Sequence, residues 1–512
     1  MVKDKLNILM ASSEMEPFAR TGGLGDVTAA LCKRLAGMGH EVKMFIPKYK
    51  SVYQTGIKAK PSGQNIDIKI GEKSFRITWE TYTDKAAGFE VVFIVNDDLY
   101  MRETIYHDSR TGLDYPDNDE RFILLSRAAL EITKKINWRP DIAHAHDWQT
   151  SLITVFLRTM YSGDPFFEKT RSLLTLHNVA YQGSFDSSSL SKLNLNGEAE
   201  GRTRAFKSGG KVNFLKAGIN FADIISAVSE RYAVEIQTSR EFGFGLEQTL
   251  RNRNSDIYAA LNGVDYDIWN PATDKLISPN YDADKLEGKA KNKKALLEKL
   301  GFIKPKEKIT ERRPLIGTIS RLVDQKGIDL FLEIADDILG LDVYMIALGE
   351  GEQKYATALR DLERKHPDNF RAVIGFDNKL AHQIEASADI FLMPSKYEPC
   401  GLNQLYSLRY GAVPIVRETG GLADTVSDYN AQTGEGVGFV FKNYSSDELL
   451  EACCRALDLY HDENAWSALV KRGMALDFSW ESSVNTYIEL YRLALGCDRE
   501  SQKTDTQEVV AT

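Results

Sequence analysis

Short apolar runs alternate along the chain with longer segments whose apolar residues recur at helical spacing. Residues 6–11 form the first apolar run and predict a buried strand. The segment from Asp26 predicts a helix, because Val27, Leu31 and Leu35 recur at helical spacing. Strands and helices in alternation predict parallel sheets covered by helices on both faces. Further strands are predicted at 41–47, 89–95, 141–145, 173–177, 223–228 and 257–262.

A second alternating set follows a change in sequence character. Prolines and a charged run mark residues 265–312 and predict a linker with one surface helix near 289–300. Strands are then predicted at 315–320, 343–348, 372–375, 390–394 and 413–416. The fold class is therefore α/β, with two Rossmann-like domains that we expect to face each other across an interdomain cleft. The predicted divisions are a first domain over 1–265, a linker over 266–312, a second domain over 313–476, a helix over 477–497 that returns to the first domain, and a disordered tail over 498–512.

Composition narrows the class of protein. A length of 512 residues suits two domains, and 43% hydrophobic with 27% charged residues is typical of a globular chain. The net charge of −9, from 64 basic and 73 acidic residues, and the lack of a basic face exclude a nucleic-acid partner. Five cysteines without a CxxC motif favour a reducing cytoplasm over a disulfide framework. No apolar run reaches the length of a membrane span or suggests a signal peptide.

The most informative segment joins the strand at 390–394 to a helix predicted at 402–410. It carries Glu398, Cys400, Gly401 and Leu402. Ligands of open α/β sheets bind where strands end, and the free amides of a helix N-terminus attract anions. We therefore expect a phosphorylated ligand here.

A glycine-rich turn, Arg20 to Asp26, stands at the corresponding place in the first domain. Gly22 and Gly23 would let the backbone approach a ligand, and Asp26 could cap the following helix. A tight strand-to-helix turn without a ligand is an alternative. A nicotinamide dinucleotide site is another, but it needs an acidic residue at the end of the second strand, where Pro47 and Lys48 stand instead.

Two further turns of the second domain follow strands. Arg321 and Lys326 are cations that could neutralise a pyrophosphate, although a solvated basic turn would look the same. Gly420 and Gly421 lie in another strand-to-helix turn, for which an ordinary turn is an equal alternative.

Polar residues also follow three strands of the first domain. Amides and carboxylates suit sugar hydroxyls, and an indole suits the face of a sugar ring. His144 and His146 are expected to point apart, so we predict no metal site. The residues after these strands are His144, His146, Asp147, Trp148, His177, Asn178, Asn262 and Asp265.

At these residues the chain resembles the bacterial glycogen synthase and plant starch synthase family, retaining glucosyltransferases of the GT-B type. The resemblance covers roughly residues 5–495. The motifs that carry it are Thr21 to Asp26, His144 to Trp148, His177-Asn178, Asn262 to Asp265, Ser320 to Leu322 with Lys326-Gly327, Glu398 to Leu402, and Thr419 to Leu422. Two positions depart from the family pattern: Arg20 replaces the usual lysine, and Tyr406 stands where related transferases often carry a second glutamate.

The resemblance implies glucose transfer from ADP-glucose to the non-reducing end of an α-1,4-glucan, with configuration retained. Glu398 would lie by the donor sugar, Arg321 and Lys326 would hold the diphosphate, and His177 and Asp147 would lie near the glucose and the acceptor. The donor-binding set would be Arg20, Gly22, Gly23, Asp26, Asn262, Cys400, Gly401, Leu402, Tyr406, Gly420 and Gly421.

Fixed positive charge beside the leaving phosphate would make a metal ion redundant, so we expect no cofactor. The departing phosphate could take the acceptor proton, or a short-lived covalent intermediate could form. A UDP-glucose-dependent transferase, another acceptor, and a catalytically weak glycan-binding scaffold are the alternative functions. We predict a cytoplasmic protein with no membrane partner, and its oligomeric state stays open.

Overall fold

The computed structural model describes residues 5–195, 203–305 and 313–496, and these divide into two compact units. The first unit contains the chain to Val228, Ala233–Gly263 and the described residues from Trp480. The second contains Ser229–Tyr232 and Val264–Ser479. The expected tail over 498–512 lies outside the described residues.

The strands of the described residues are β1 Asn7–Ala11, β2 Glu41–Pro47, β3 Lys60–Ile70, β4 Lys73–Asp84, β5 Phe89–Val95, β6 Ile142–His146, β7 Arg171–Leu176, β8 Ser184–Phe185, β9 Lys207–Ser208, β10 Lys211–Asn213, β11 Ile224–Ala227, β12 Ile257–Ala259, β13 Leu315–Ile319, β14 Tyr344–Gly349, β15 Phe370–Ile374, β16 Ile390–Met393, β17 Val413–Arg417 and β18 Phe439–Phe441.

The helices are α1 Gly23–Gly37, α2 Lys50–Gln54, α3 Asp97–Tyr100, α4 Asn118–Lys135, α5 Asp147–Thr150, α6 Leu152–Arg158, α7 Ser189–Lys192, α8 Phe214–Phe221, α9 Glu230–Thr238, α10 Arg240–Gly243, α11 Glu247–Arg251, α12 Glu287–Lys299, α13 Ile328–Leu339, α14 Gln353–Lys365, α15 Asn378–Ser387, α16 Asn403–Tyr410, α17 Gly420–Thr425, α18 Ser446–Tyr460, α19 Glu463–Ala475 and α20 Trp480–Ala494. No helix of the described residues is long and apolar enough to cross a membrane, and the cytoplasmic location stays a prediction.

Each unit is built on one main sheet. The first sheet has the order β12-β11-β7-β6-β1-β2-β5-β4-β3, and only its last two strand pairs are antiparallel. The second sheet, β15-β14-β13-β16-β17-β18, is parallel throughout. Its central strands are buried on both faces, which explains their uninterrupted apolar runs.

The strand order reverses at one place in each sheet. In the first sheet the reversal lies between β1 and β6, and in the second it lies between β13 and β16. Such a switch point opens a crevice at the carboxyl ends of the two strands, where ligands of doubly wound sheets bind. Four of the predicted motifs lie at or after the carboxyl ends of these four strands.

Two expectations about elements differ from the structure. The antiparallel pair β3 and β4 was not predicted, because its residues are largely exposed and lack the apolar runs that mark the buried strands. The segment expected as a linker with a surface helix belongs, in its described part, to the second unit. Helix α12 packs Leu296 and Leu297 into the core of that unit, while Lys291, Ala295 and Lys299 on its other face are exposed, so it is a surface helix of the second unit and not of a separate linker.

Candidate active site

Glu398 and Lys326 form a buried ion pair at the switch point of the second sheet. Lys326 follows β13 and Glu398 follows β16, and the lysine Nζ lies 2.6 Å from Glu398 Oε2. The Glu398 side chain is 7% exposed, and the Ser395 hydroxyl donates to the same oxygen over 3.0 Å. The structure thus brings together two residues that the sequence separates by 72 positions. Lys326 therefore fixes the position of the Glu398 carboxylate, in addition to placing a positive charge at this edge of the sheet.

Arg321 lies on the same turn as Lys326 but is exposed. Its side chain makes no ion pair or hydrogen bond within the described residues. Its guanidinium is therefore available for an anion, and it can grip two phosphate oxygens at once.

The turns after β13 and β16 are fastened to each other by backbone and amide hydrogen bonds. The amide of Lys396 donates to the Gln325 carbonyl over 2.8 Å, and Gln325 Nε2 donates to the Tyr397 carbonyl over 3.2 Å. Gly327, at φ +68°, lies so close to the second turn that a Cβ would come within 1.9 Å of the Pro394 oxygen. The ion pair is thus held by a rigid frame.

Gly420 and Gly421 pack against the backbone that carries Glu398. A Cβ on Gly420 would lie 2.0 Å from the Glu398 oxygen, and one on Gly421 would lie 2.0 Å from the Cys400 oxygen. The Gly421 amide donates to the Glu398 carbonyl over 3.0 Å, so it is already used within the chain. Close packing of two turns accounts for these glycines.

The start of α16 is fixed by its own polar residues. Leu402 occupies the N-cap position without a side-chain hydrogen bond. Asn403 Nδ2 donates to the Ile319 carbonyl over 2.6 Å, and Gln404 Nε2 donates to the carbonyls of Cys400 and Gly401. Gly401 has φ +74°, and Cys400 is buried.

Tyr406 was expected among the donor-binding residues, but its ring is buried. It stacks on Trp269 with the centroids 4.0 Å apart, and Trp269 stacks on His382 at 3.8 Å. The position that often carries a second glutamate in related transferases here contributes an aromatic packing contact.

Glu14 controls the glycine-rich turn of the first unit, and sequence reasoning missed it. The buried carboxylate accepts the amides of Thr21 and Gly22 over 2.6 and 3.2 Å and the Thr21 hydroxyl over 2.7 Å. Tyr106 also donates its hydroxyl to it over 2.6 Å. The amide of Gly22, where the backbone was expected to approach a donor, is thus bound to the chain's own carboxylate, as is the neighbouring Thr21 amide. The only sequence signal was an acidic residue just past the first buried strand.

Helix α1 begins at Gly23, after Gly22, and not at Asp26. Asp26 lies in its first turn and pairs with Arg20, whose Nη2 lies 2.9 Å from Asp26 Oδ2. Burial raises the Asp26 pKa to about 6, against the opposing effect of Arg20. The structure therefore brings Arg20 and Asp26 together, as an ion pair and not as a helix cap.

Asp147 and His177 meet at the carboxyl ends of β6 and β7. Asp147 has φ +53°, and its Oδ1 accepts the His177 amide over 2.7 Å. Burial raises the Asp147 pKa to about 7 and lowers the His177 pKa to about 3. The left-handed backbone of Asp147 is uncommon for a non-glycine residue and turns its carboxylate towards the neighbouring strand end.

The expectation that His144 and His146 point apart is wrong. Residues two apart on a strand share a face, and the ring centroids are 4.1 Å apart. Trp148, expected as a sugar platform, is instead buried, and its ring packs edge-on against Phe122. Asn262 is buried, and its Oδ1 makes no hydrogen bond within the described residues. In residues 5–195, 203–305 and 313–496 no cluster of three or more His, Cys, Asp or Glu side chains could hold a metal ion.

Comparisons with known proteins cover almost the whole chain. Residues 7–252 match the family model described as starch synthase catalytic domain, and residues 301–472 match glycosyl transferases group 1. The glycogen synthase of Geotalea daltonii is 43% identical over 490 residues, which cover 96% of this chain and 99% of that protein. The chain belongs to the glycogen and starch synthase family. A further member, the glycogen synthase of Thermotoga maritima, is 41% identical over 497 residues, covering 96% of this chain and 99% of its own.

Solved structures give the same assignment. The catalytic domain of starch synthase IV from Arabidopsis thaliana, bound to ADP and acarbose, matches with a TM-score of 0.86 and 34% identity over 96% of this chain and 100% of that chain. Sucrose-phosphate synthase from Thermosynechococcus elongatus matches with a TM-score of 0.59 at 16% identity, covering 96% and 100% of the two chains, which shows the fold alone. The predicted family and its two-domain GT-B fold are confirmed, and as a member of the glycogen and starch synthase family the protein is a glycosyltransferase.

Proposed function

We propose that this protein is a glycogen synthase that transfers glucose from ADP-glucose to the non-reducing end of an α-1,4-glucan, with the configuration retained. The observation that carries the proposal is the Lys326–Glu398 pair beside exposed Arg321, at the switch point of the second sheet. The ADP bound by the plant starch synthase and the glycogen synthase names of the bacterial relatives support the donor and the acceptor.

The second unit supplies the groups for the donor. Arg321 binds the diphosphate, and Lys326 neutralises the charge that grows on the leaving phosphate as the sugar bond breaks. Glu398 lies by the donor sugar, where its negative charge stabilises an oxocarbenium-like carbon. Because Lys326 already touches Glu398, both charges are oriented before the substrate arrives, and little reorganisation is needed in the transition state.

The first unit supplies Asp147 and His177 for the glucose and the acceptor. Asn262 brings a buried amide oxygen that lacks a partner within the described residues. A buried polar atom of this kind costs free energy unless a ligand satisfies it, which suits a hydroxyl-rich substrate. Arg20, which replaces the usual lysine, adds a donor-side cation from this unit.

We also propose that the reaction needs no metal ion, because Arg321 and Lys326 supply positive charge at the diphosphate. Turnover should be unchanged after dialysis against a chelator. If it is abolished by the chelator and restored by Mg²⁺, this part of the proposal is wrong.

The direct test is transfer of labelled glucose from ADP-glucose or UDP-glucose, at equal concentrations, to glycogen. We expect the ADP-glucose rate to exceed the UDP-glucose rate. A faster reaction with UDP-glucose would favour the alternative that the protein is a UDP-glucose-dependent transferase of the same fold. Replacing Glu398 by Gln should lower kcat at least about 100-fold while glycogen binding persists. Equal losses of rate and of glycan affinity would favour a glycan-binding scaffold.

A further inference from the structure

Three histidines and a methionine share one face of the first sheet. Met10 lies on β1, His144 and His146 lie on β6, and His177 follows β7. His146 contacts both Met10 and His177: its Nε2 lies 2.8 Å from the Met10 sulfur, and its Nδ1 lies 2.9 Å from His177 Nε2. The imidazole of His146 therefore connects a core methionine to a residue of the candidate site.

The chemistry of these contacts fixes where the protons lie. A thioether sulfur carries no hydrogen and can only accept, so His146 Nε2 must donate to Met10. A neutral imidazole has one N–H, which leaves His146 Nδ1 bare. His146 Nδ1 must then accept the hydrogen bond from His177, and the proton of His177 lies on Nε2.

Both rings are neutral near pH 7. Burial lowers the His146 pKa well below its ordinary value, with the neighbouring His144 and His177 acting in the same direction. Burial also lowers the His177 pKa to about 3.

His144 differs from His146 in that its hydrogen-bond partners do not fix its tautomer. Its Nδ1 lies 2.9 Å from the Tyr491 hydroxyl and its Nε2 lies 2.7 Å from the Thr175 hydroxyl. A hydroxyl can donate or accept, so these contacts leave the tautomer of His144 open. Only the sulfur contact of His146 is one-directional.

We infer that His146 is a positioning residue that, through Met10, holds His177 in the tautomer with a bare Nδ1, so that His177 accepts a hydrogen bond from a sugar hydroxyl. His177 Nδ1 makes no hydrogen bond within the described residues, and the ring is only half-buried. A neutral acceptor suits a hydroxyl and disfavours a second acceptor such as a phosphate oxygen. The sugar as ligand rests on the proposed function, whereas the tautomer does not.

The tautomer is measurable without substrate. In protein labelled with nitrogen-15 in its histidine rings, long-range proton–nitrogen spectra distinguish a protonated from a bare ring nitrogen. The His177 signals are assigned by their loss in His177→Asn. We expect the proton on Nε2 and a bare Nδ1. A proton on Nδ1 in the full-length protein would overturn the inference, even if ADP-glucose is the donor.

Variants then test the route through His146. His146→Leu removes the acceptor, so His177 should populate both tautomers and kcat should fall about tenfold, with a smaller change in KM for ADP-glucose. His146→Asn can place an amide oxygen near the position of Nδ1 and should restore most of the rate. His144→Leu is the matched control: it removes an equally buried histidine, and it should leave the His177 tautomer unchanged.

If His146→Leu does not fold, Met10→Leu tests the inference instead, since it removes the sulfur acceptor but keeps an apolar side chain at this position. It should mix the tautomers of both His146 and His177. An unchanged His177 tautomer in Met10→Leu would overturn the role of the sulfur. A correct tautomer in a protein that does not use ADP-glucose would instead contradict the proposed function alone.

Discussion

At the scale of single residues, the candidate site consists of charges that the chain pairs before any ligand binds. Lys326 holds Glu398, and Asp26 holds Arg20. Glu14 holds the amides of Thr21 and Gly22. Buried charges need such partners, because an unpaired one costs several kcal/mol. A substrate diphosphate must therefore join or displace existing contacts and does not meet bare cations, with Arg321 as the exception.

Replacing Lys326 by Met tests whether its charge serves the reaction. The variant should lose at least about 100-fold in kcat, because both the phosphate charge and the orientation of Glu398 depend on the ammonium group. Lys365→Met is the control: its ion pair with Asp336 is exposed, and such pairs contribute little. Steady-state kinetics measure kcat for both variants. Similar kcat values for Lys326→Met and Lys365→Met would contradict a role of the Lys326 charge in the reaction.

The residues of the second-unit site could be predicted from sequence because each follows an apolar run. Arg321, Lys326 and Glu398 lie where parallel strands end, and those ends meet at one edge of the sheet. What each residue touches could not be predicted. The Lys326–Glu398 contact spans 72 positions, and Glu14 clamps a turn whose glycines looked open to a ligand.

At the scale of elements, turns packed on turns position the site. The turn that opens α17 lies directly on the backbone of residues 398–400. Two strand-to-helix turns can approach so closely only if one of them lacks side chains. The glycine pair is thus explained by packing, and its contact with the donor stays a prediction.

Replacing Gly421 by Ala should displace the segment that carries Glu398. The new Cβ would lie 2.0 Å from the Cys400 oxygen and 2.5 Å from its Cα, so the backbone must move. We expect a loss of about 1–3 kcal/mol in the free energy of unfolding and at least about tenfold in kcat. Gly37→Ala, at a helical glycine where the added carbon has no atom within 4 Å apart from its own helix backbone, should be neutral or slightly stabilising. Denaturant melts would contradict this account if both variants behaved alike.

A buried carboxyl joins α15 to α16. The Ser407 hydroxyl donates to Glu385 Oε2 over 2.9 Å, and burial raises the Glu385 pKa from 4.5 to about 8. The folded state therefore holds this proton more tightly than the unfolded chain does. The stability that this gives is complete below about pH 4.5 and is lost as the pH rises through about 8.

Replacing Glu385 by Gln removes this dependence, because the amide has no proton to lose. Relative to the wild-type protein, the free energy of unfolding of the variant should rise between about pH 4.5 and 8. The slope is at most about 1.4 kcal/mol for each pH unit. Denaturant melts across this range measure the difference, and groups that titrate alike in both proteins cancel. A difference that stays constant or falls with pH would show that Glu385 is charged in the folded protein.

Elements were predictable where burial leaves a pattern. Most parallel strands of both sheets were expected within a few residues, but the three-residue β18 was not predicted. The strands β3 and β4 were missed because both are largely exposed. Helix α12 was expected as a surface helix, and one of its faces is indeed exposed, but its packing on the core of the second unit was not foreseen. Its sequence is mostly polar, and only Leu296 and Leu297 signal the core that it joins.

At the scale of the whole molecule, the same sheet arrangement, with motif residues beside a switch point, occurs in both units. Each unit has a doubly wound sheet with one reversal of strand order, and the motif residues follow the strands on either side of that reversal. After Ser479 the chain rejoins the first unit, and Tyr491 of α20 contacts His144. The first unit therefore includes α20, and truncation before Trp480 removes a partner of its buried histidines.

The proposed function requires a nucleotide diphosphate to bind where β13 and β16 end. A crystal structure of the protein with ADP tests it most directly. We expect the diphosphate within hydrogen-bond distance of the Arg321 guanidinium and close to Lys326 Nζ. ADP bound elsewhere, with Arg321 still directed into solvent, would contradict the account.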